Sequence, residues 1–169
     1  YLWLISQIFY RIVFLPLSPT DLAPPYWINM GAMAISTLAG LWLVRTSERL
    51  PLLGELLPFL KGMTLLFWAT ATWWIPLLLA LGAWRHIQRQ IPIVYEHSYW
   101  AVVFPLGMYA VCTQRLVTTS NLPFLQPIAV AFVYLSLAAW AATLLGMAIS
   151  FATRQPHQRL AKQAGAVPQ

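Results

Sequence analysis

Long apolar stretches alternate with short, proline-rich polar connectors along this chain. A helix needs about 20 predominantly apolar residues to cross the hydrocarbon core of a bilayer. Five stretches are near that length or longer: residues 1–17, 26–44, 62–84, 99–117 and 124–151. Prolines cluster between them, where they interrupt helices. The pattern predicts an all-α membrane protein with five transmembrane helices.

The composition supports a membrane setting. Hydrophobic residues make up 60% of the chain and charged residues only 8%, with a mean hydropathy of +0.67. These values lie outside the range of soluble domains. The net charge of +6 would point to nucleic acid in a soluble protein, but here the basic residues are spread between apolar segments. We therefore expect them to orient the chain in the membrane, with no nucleic-acid partner.

The basic residues also predict which side of the membrane each connector occupies. Five crossings place one group on the side of the C-terminus: Arg85, Arg89, Arg154, Arg159 and Lys162. The opposite side holds Arg45, Arg49, Lys61 and Arg115. Under the positive-inside rule this difference favours a cytoplasmic C-terminus. We expect residues 1–153 to form the transmembrane domain of a cell-membrane protein and residues 154–169 to be a cytoplasmic polar tail.

Residues suited to enzyme chemistry are scarce. The three histidines, His86, His97 and His157, fall in connectors or the tail, so none lies well inside a helix where it would ligate haem. The sequence has no carboxylate pair, nucleophile with a base, phosphate-binding glycine loop or metal-ligand spacing. The single cysteine, Cys112, excludes an intrachain disulfide. We expect no enzyme activity, no cofactor and no metal.

The stretch at residues 98–113, SYWAVVFPLGMYAVCT, places Phe104, Pro105 and Gly107 in the middle of an apolar helix. Proline has no N–H, so we expect a kink or opening there, with Phe104 at the bend. At spacings of three and four residues, one helical face holds Trp100, Phe104, Met108, Val111 and Arg115. Such a face suits a hydrophobic gate with a cation that favours anions. The ordinary alternative is a phenylalanine that faces lipid or packs on a neighbouring helix.

Small residues recur four apart on two predicted helices. They are Ala32, Ser36 and Gly40 on the second helix, and Ala138, Ala142, Gly146 and Ser150 on the fifth. Small side chains let helix backbones approach closely in lipid. The second helix has an alternative interpretation, in which its small face borders a narrow conduit. The sequence alone leaves both open.

Residues 24–40, PPYWINMGAMAISTLAG, and residues 99–113, YWAVVFPLGMYAVCT, resemble the tellurite-resistance and C4-dicarboxylate transporter family, which includes the slow anion channels of plant guard cells. The Trp-x-x-x-Phe-Pro pattern at Trp100, Phe104 and Pro105 is the more specific signal. The resemblance implies ten transmembrane helices arranged as helical hairpins. Odd-numbered helices form a quasi-fivefold pore, even-numbered helices an outer ring, and the protein is expected to form trimers.

By this resemblance the five helices correspond to the last five of a family member, and the missing half is expected before Tyr1. The helices that begin near residues 26 and 99 would then be the seventh and ninth, which line the pore. Phe104 maps onto the phenylalanine that blocks the pore, and Pro105 and Gly107 mark the kink of that helix. The pore-lining candidates are Trp100, Met108, Val111, Gly31, Ala32, Ser36 and Gly40.

We therefore expect a channel or transporter for small anions, with C4-dicarboxylates, tellurite, sulfite and inorganic anions all open as substrates. No carboxylate or histidine chain offers a proton path, so we expect passive or weakly coupled permeation. The alternative is a membrane subunit or interaction protein that does not transport. Its partners would be the lipid bilayer and other helices.

Overall fold

The structure of the chain, a computed structural model, describes residues 2–15, 24–88, 90 and 95–164. All regular structure in these residues is helical, as the sequence predicts. The α-helices are α1 (Leu2–Phe14), α2 (Ile28–Thr46), α3 (Pro51–Glu55), α4 (Leu57–Ala83), α5 (Trp100–Ser120) and α6 (Gln126–Ala164). Beside them lie 3₁₀ turns at Pro24–Trp27, Ser47–Arg49, His97–Tyr99 and Pro123–Leu125, and a π-helical turn at Trp84–Gln88.

Four helices in the described part of the chain are long and apolar enough to cross a membrane. With their flanking turns these spans are Ile28–Thr46, Leu57–Gln88, His97–Ser120 and Pro123–Ala152. They correspond to the last four expected segments. In the first segment, α1 has only 13 residues, fewer than a spanning helix needs. The ends of that segment, residues 1, 16 and 17, lie outside the described residues.

Two helix ends differ from the sequence-based expectation. Helix α4 begins at Leu57 instead of residue 62, with Pro58 in its first turn. The first turn of a helix does not use its N–H groups, so proline fits there and starts the helix instead of interrupting it. Helix α6 continues to Ala164, past residue 151, the end of the fifth expected segment. Residues 165–169 of the tail lie outside the described residues.

The four long helices pack in the spatial order α4, α2, α5, α6. Buried residues make up 33% of the apolar span of α2 and 39% of that of α5, but only 17% of that of α4 and 6% of that of α6. Helices α2 and α5 are therefore the central pair of this chain. Helix α6 leaves most of its surface open to the surroundings.

Large apolar and aromatic side chains of α2, α4 and α5 form the core. Met30, Met33, Trp74, Leu106 and Tyr109 meet there, and Ile5 of α1 joins them. Buried threonines donate their hydroxyl groups to the carbonyl four residues earlier, as in Thr37 to Met33 (2.8 Å) and Thr64 to Leu60 (2.7 Å). These bonds satisfy polar groups where a bilayer supplies no water.

Candidate functional site

The central helices α2 and α5 touch where a glycine faces a proline. A Cβ atom added to Gly31 would lie 3.1 Å from Cγ of Pro105, and less than 2% of Pro105 is exposed. Near the other end of the pair, Leu41 and Leu116 share a small apolar cluster. Because both contacts join corresponding ends of the helices, α2 and α5 run parallel. Helix α5 remains helical on both sides of Pro105.

Phe104 lies on the open side of α5, although the next residue is buried. Its side chain is 54% exposed, and Val111 on the same face is 47% exposed. Trp100 and Met108 are half-buried and Arg115 is exposed, so the predicted face has a common open side. The opposite face of α5 holds the buried residues Pro105, Leu106, Tyr109, Cys112, Thr113 and Leu116.

Gly107 adds free space beside this open face. A Cβ atom built on Gly107 would meet no atom within 4 Å, and its backbone is not in the left-handed region. The glycine is therefore not required by close packing or by backbone conformation within this chain. A larger side chain at this position would project into the open space next to Phe104.

Two of the pore-lining candidates on α2 are packing residues. Gly31 lies against Pro105, and a Cβ atom on Gly40 would overlap the hydroxyl of Thr64 on α4. Both glycines are buried against another helix of this chain, and pore lining by them stays a prediction. Ala32 and Ser36 are half-buried and remain candidates. The hydroxyl of Ser36 donates to the carbonyl of Ala32 at 3.0 Å.

The glycine of the small-residue stripe on α6 also packs against another side chain. A Cβ atom on Gly146 would lie 3.1 Å from Cδ2 of Tyr95, in the segment that precedes α5. Ala138 and Ala142 of the same stripe are exposed. The stripe therefore serves packing at Gly146, as expected for small residues on this helix, and leaves Ala138 and Ala142 exposed.

Polar side chains tie α5 to α4 behind the open face. The hydroxyl groups of Tyr109 and Thr72 form a hydrogen bond of 2.7 Å, and Nε1 of Trp68 donates to Oγ1 of Thr113 at 3.0 Å. The Tyr109 ring also packs at 4.5 Å between centroids on that of Phe132 in α6. Sequence reasoning missed this network, although threonines inside apolar helices are a signal for such bonds.

Three cations come together where α2 and α5 end. Arg45, Lys61 and Arg115 line one open cavity of about 520 Å³, together with Thr118 and Thr119. The charge pattern predicted that the three residues share one side of the membrane, but not that they share a cavity. We call these three residues, Arg45, Lys61 and Arg115, the cationic mouth, and one of them, Arg115, lies on the same helix as Phe104.

The described residues show no cluster suited to a metal. No three His, Cys, Asp or Glu side chains among them lie together. Glu96, which the sequence places just before the fourth segment, accepts a hydrogen bond of 3.1 Å from the hydroxyl of Ser98. Its role in the structure is local, at the start of the turn that leads into α5.

Comparison with known proteins gives matches along most of the chain. The voltage-dependent anion channel family matches residues 1–148. An uncharacterized membrane protein of Mycobacterium tuberculosis (strain H37Rv) is 39% identical over 142 residues, which are 84% of this chain and 72% of that protein. An uncharacterized transporter of Methanocaldococcus jannaschii is 27% identical over 145 residues, which are 86% of this chain but 41% of the transporter. No solved structure matches the chain.

Proposed function

The chain belongs to the voltage-dependent anion channel family, and on that premise we propose that it moves small anions along a membrane path that Phe104 closes. The family assignment confirms the resemblance drawn from residues 24–40 and 99–113. The apolar helices and the named relatives make it a multi-pass membrane protein. Substrate, gate and oligomeric state belong to the proposal, because the chain spans less than half of the matched transporter.

The observation that carries the proposal is the contrast between two neighbouring residues of α5. Pro105 is buried against Gly31 of α2, whereas 54% of the Phe104 side chain is exposed. The contact with α2 fixes the backbone of α5 at this point, and the ring projects from the fixed backbone away from the core. An apolar ring in a narrow path excludes water and ions by its size and by dewetting.

The scarcity of ionisable side chains at membrane depth favours passive permeation over ion-coupled transport. Helices α2, α4 and α5, and residues 126–152 of α6, contain no Asp, Glu or His, and His86 and His97 lie in the turns that flank α4 and α5. Ionisable groups at membrane depth are the usual carriers of proton or cation coupling. We propose passive or weakly coupled permeation of an anion, for which C4-dicarboxylates, tellurite, sulfite and inorganic anions are the candidates.

The test is the Phe104→Ala variant of the full-length protein, reconstituted in liposomes, with anion flux measured against the wild-type protein. If the ring contributes a barrier of about 1.4 kcal/mol, its removal raises the flux about tenfold. The side chain is only half covered, so we expect a loss of stability of about 1.5–2.5 kcal/mol, half the roughly 3–5 kcal/mol of a fully buried phenylalanine.

Phe59→Ala is the matched control. Phe59 on α4 is 63% exposed, similar to Phe104, but lies outside the central pair of helices. We expect this variant to leave the flux unchanged. A folded Phe104→Ala protein with wild-type flux would refute the gate. If neither protein conducts any anion after verified insertion, the chain is better explained as part of a non-transporting membrane subunit.

A further inference from the structure

Three basic side chains converge on one open cavity at the end of the central helices. Arg45, Lys61 and Arg115 line it together with the side chains Val44, Ser47, Leu57, Thr118 and Thr119. A second, smaller cavity of about 40 Å³ also touches Arg45 and Arg115 and reaches back along α2 to Leu38, Leu41 and Trp42. The two cavities share Arg45 and Arg115 in their lining, and the larger one lies between α2, α4 and α5.

We propose that the cationic mouth is a binding site for one anionic group with several oxygen atoms. Such a group is found in a small carboxylate or oxyanion and in the phosphate of a lipid headgroup. This inference rests on the proposed function, because it assigns the entrance of the same path. Arginine offers several N–H donors in a plane, which match paired oxygen atoms, and lysine adds a compact charge.

The helix dipole does not explain why all three basic side chains lie where they do. Positive charge is stabilised at the C-terminus of a helix and destabilised at the N-terminus. Arg45 lies in the last turn of α2, where this effect explains it. Arg115 lies before the last turn of α5, and Lys61 lies only five residues into α4, near the unfavourable end. Two of the three positions therefore need another explanation.

Salt bridges within the lining do not account for them either. No carboxylate is among the described side chains that line the two cavities. Like charges around one recess repel one another unless a negative charge lies between them. The hydroxyl of Thr118 already donates to the carbonyl of Arg115 at 3.0 Å. We therefore expect the cations, and not this threonine, to bind the anion.

The position of the site connects it to Phe104. Arg115 follows Phe104 by eleven residues on the same helical face, which corresponds to about 17 Å along the helix axis. A mouth lined by one sign of charge raises the local concentration of the opposite ion. The site would therefore collect anions at the entrance, while the apolar ring controls their passage.

The first test measures equilibrium binding of radiolabelled sulfate to the full-length protein in a neutral detergent at low ionic strength. We expect Arg115→Gln and Lys61→Gln each to weaken sulfate binding about three- to tenfold, as expected for loss of one exposed charged contact. Arg115→Lys keeps the charge but loses the paired donors, so we expect an intermediate effect. Arg49→Gln is the matched control, because Arg49 is basic and nearby but lines neither cavity.

The second test identifies the source of the anionic group. The same proteins are incubated with phosphatidylglycerol or phosphatidylcholine, and retained lipid is counted by native mass spectrometry. Sulfate binding without selective retention of phosphatidylglycerol supports a free anion as the ligand. Phosphatidylglycerol that is retained by the wild-type protein and lost from Arg115→Gln supports a lipid headgroup.

Unchanged sulfate and lipid binding in both Arg115→Gln and Lys61→Gln would overturn the site, whatever the flux measurements show. Anion flux that responds to Phe104→Ala without any binding at the cationic mouth would leave the gate in place and remove only this inference. Anion binding at the cationic mouth without any anion flux would support this site and would count against the proposed transport function. The two proposals therefore fail separately.

Discussion

Gly40→Ala tests how α2 packs against α4. The added methyl carbon would overlap Oγ1 of Thr64 and lie 3.1 Å from its Cβ and 3.3 Å from its Cγ2. Thr64 cannot turn away freely, because it is only 2% exposed and its hydroxyl donates to the carbonyl of Leu60 at 2.7 Å. The two helices must therefore move apart, or the hydrogen bond must break.

The expected loss of stability in Gly40→Ala is the sum of two opposing effects. Overpacking of a filled interior costs about 1–3 kcal/mol, and replacement of a helical glycine by alanine returns about 0.5–1 kcal/mol. We expect a net loss of about 1–2 kcal/mol in the free energy of unfolding. Leucine at the same position adds three more carbon atoms, and we expect it to reduce the yield of folded protein.

Unfolding can be followed through the single cysteine of the chain. Cys112 is wholly buried, so a thiol-reactive dye labels it only when the helices separate. Gly62→Ala is the control, because a Cβ atom there meets nothing within 4 Å. The double variant Gly40→Ala, Thr64→Ala should recover most of the loss. If Gly40→Ala is as stable as Gly62→Ala and Thr64→Ala has no effect on it, α2 and α4 do not pack in this way.

Two further predictions concern the polar network and the orientation of the chain. Tyr109→Phe removes the hydrogen bond to Thr72, and a double-mutant cycle with Thr72→Val should give a coupling of about 0.6 kcal/mol, with about 1.7 kcal/mol as an upper bound, measured by the same labelling assay. Zero coupling would mean that the two hydroxyl groups do not meet. A reporter fused after Gln169 should show cytoplasmic activity, and activity on the opposite side would contradict the charge distribution and our assignment of the tail.

The sequence predicted what depends on spacing along one helix. The face that joins Trp100, Phe104, Val111 and Arg115 follows from the helical repeat alone, and the structure leaves that face open. The roles of the two glycines of α2 were harder to predict. A small residue that packs on a neighbouring helix looks the same in the sequence as one that lines a conduit. The positions of Pro105 and Thr64 show which side chains these glycines pack against, and the sequence alone did not predict those contacts.

Most of the other features that the sequence did not predict arise from contacts between distant parts of the chain. Arg45, Lys61 and Arg115 belong to three helices, so only the packing of α2 against α4 and α5 brings them to one cavity. The early start of α4 has a local cause, since a proline that interrupts a helix and a proline that begins one look alike until the helix is located. The pairing of Tyr109 with Thr72 likewise required the register between α4 and α5.

Helix α5 combines a fixed face and an open face, and this combination constrains how the proposed gate can work. On the fixed face, Pro105 packs on Gly31, Tyr109 bonds to Thr72, and Thr113 accepts a bond from Trp68. Movement of the whole helix would disrupt all three contacts at once. Rotation of the exposed Phe104 side chain about its own bonds disrupts none of them. We therefore expect the proposed gate to open by rotation of the ring, while the backbone of α5 stays in place.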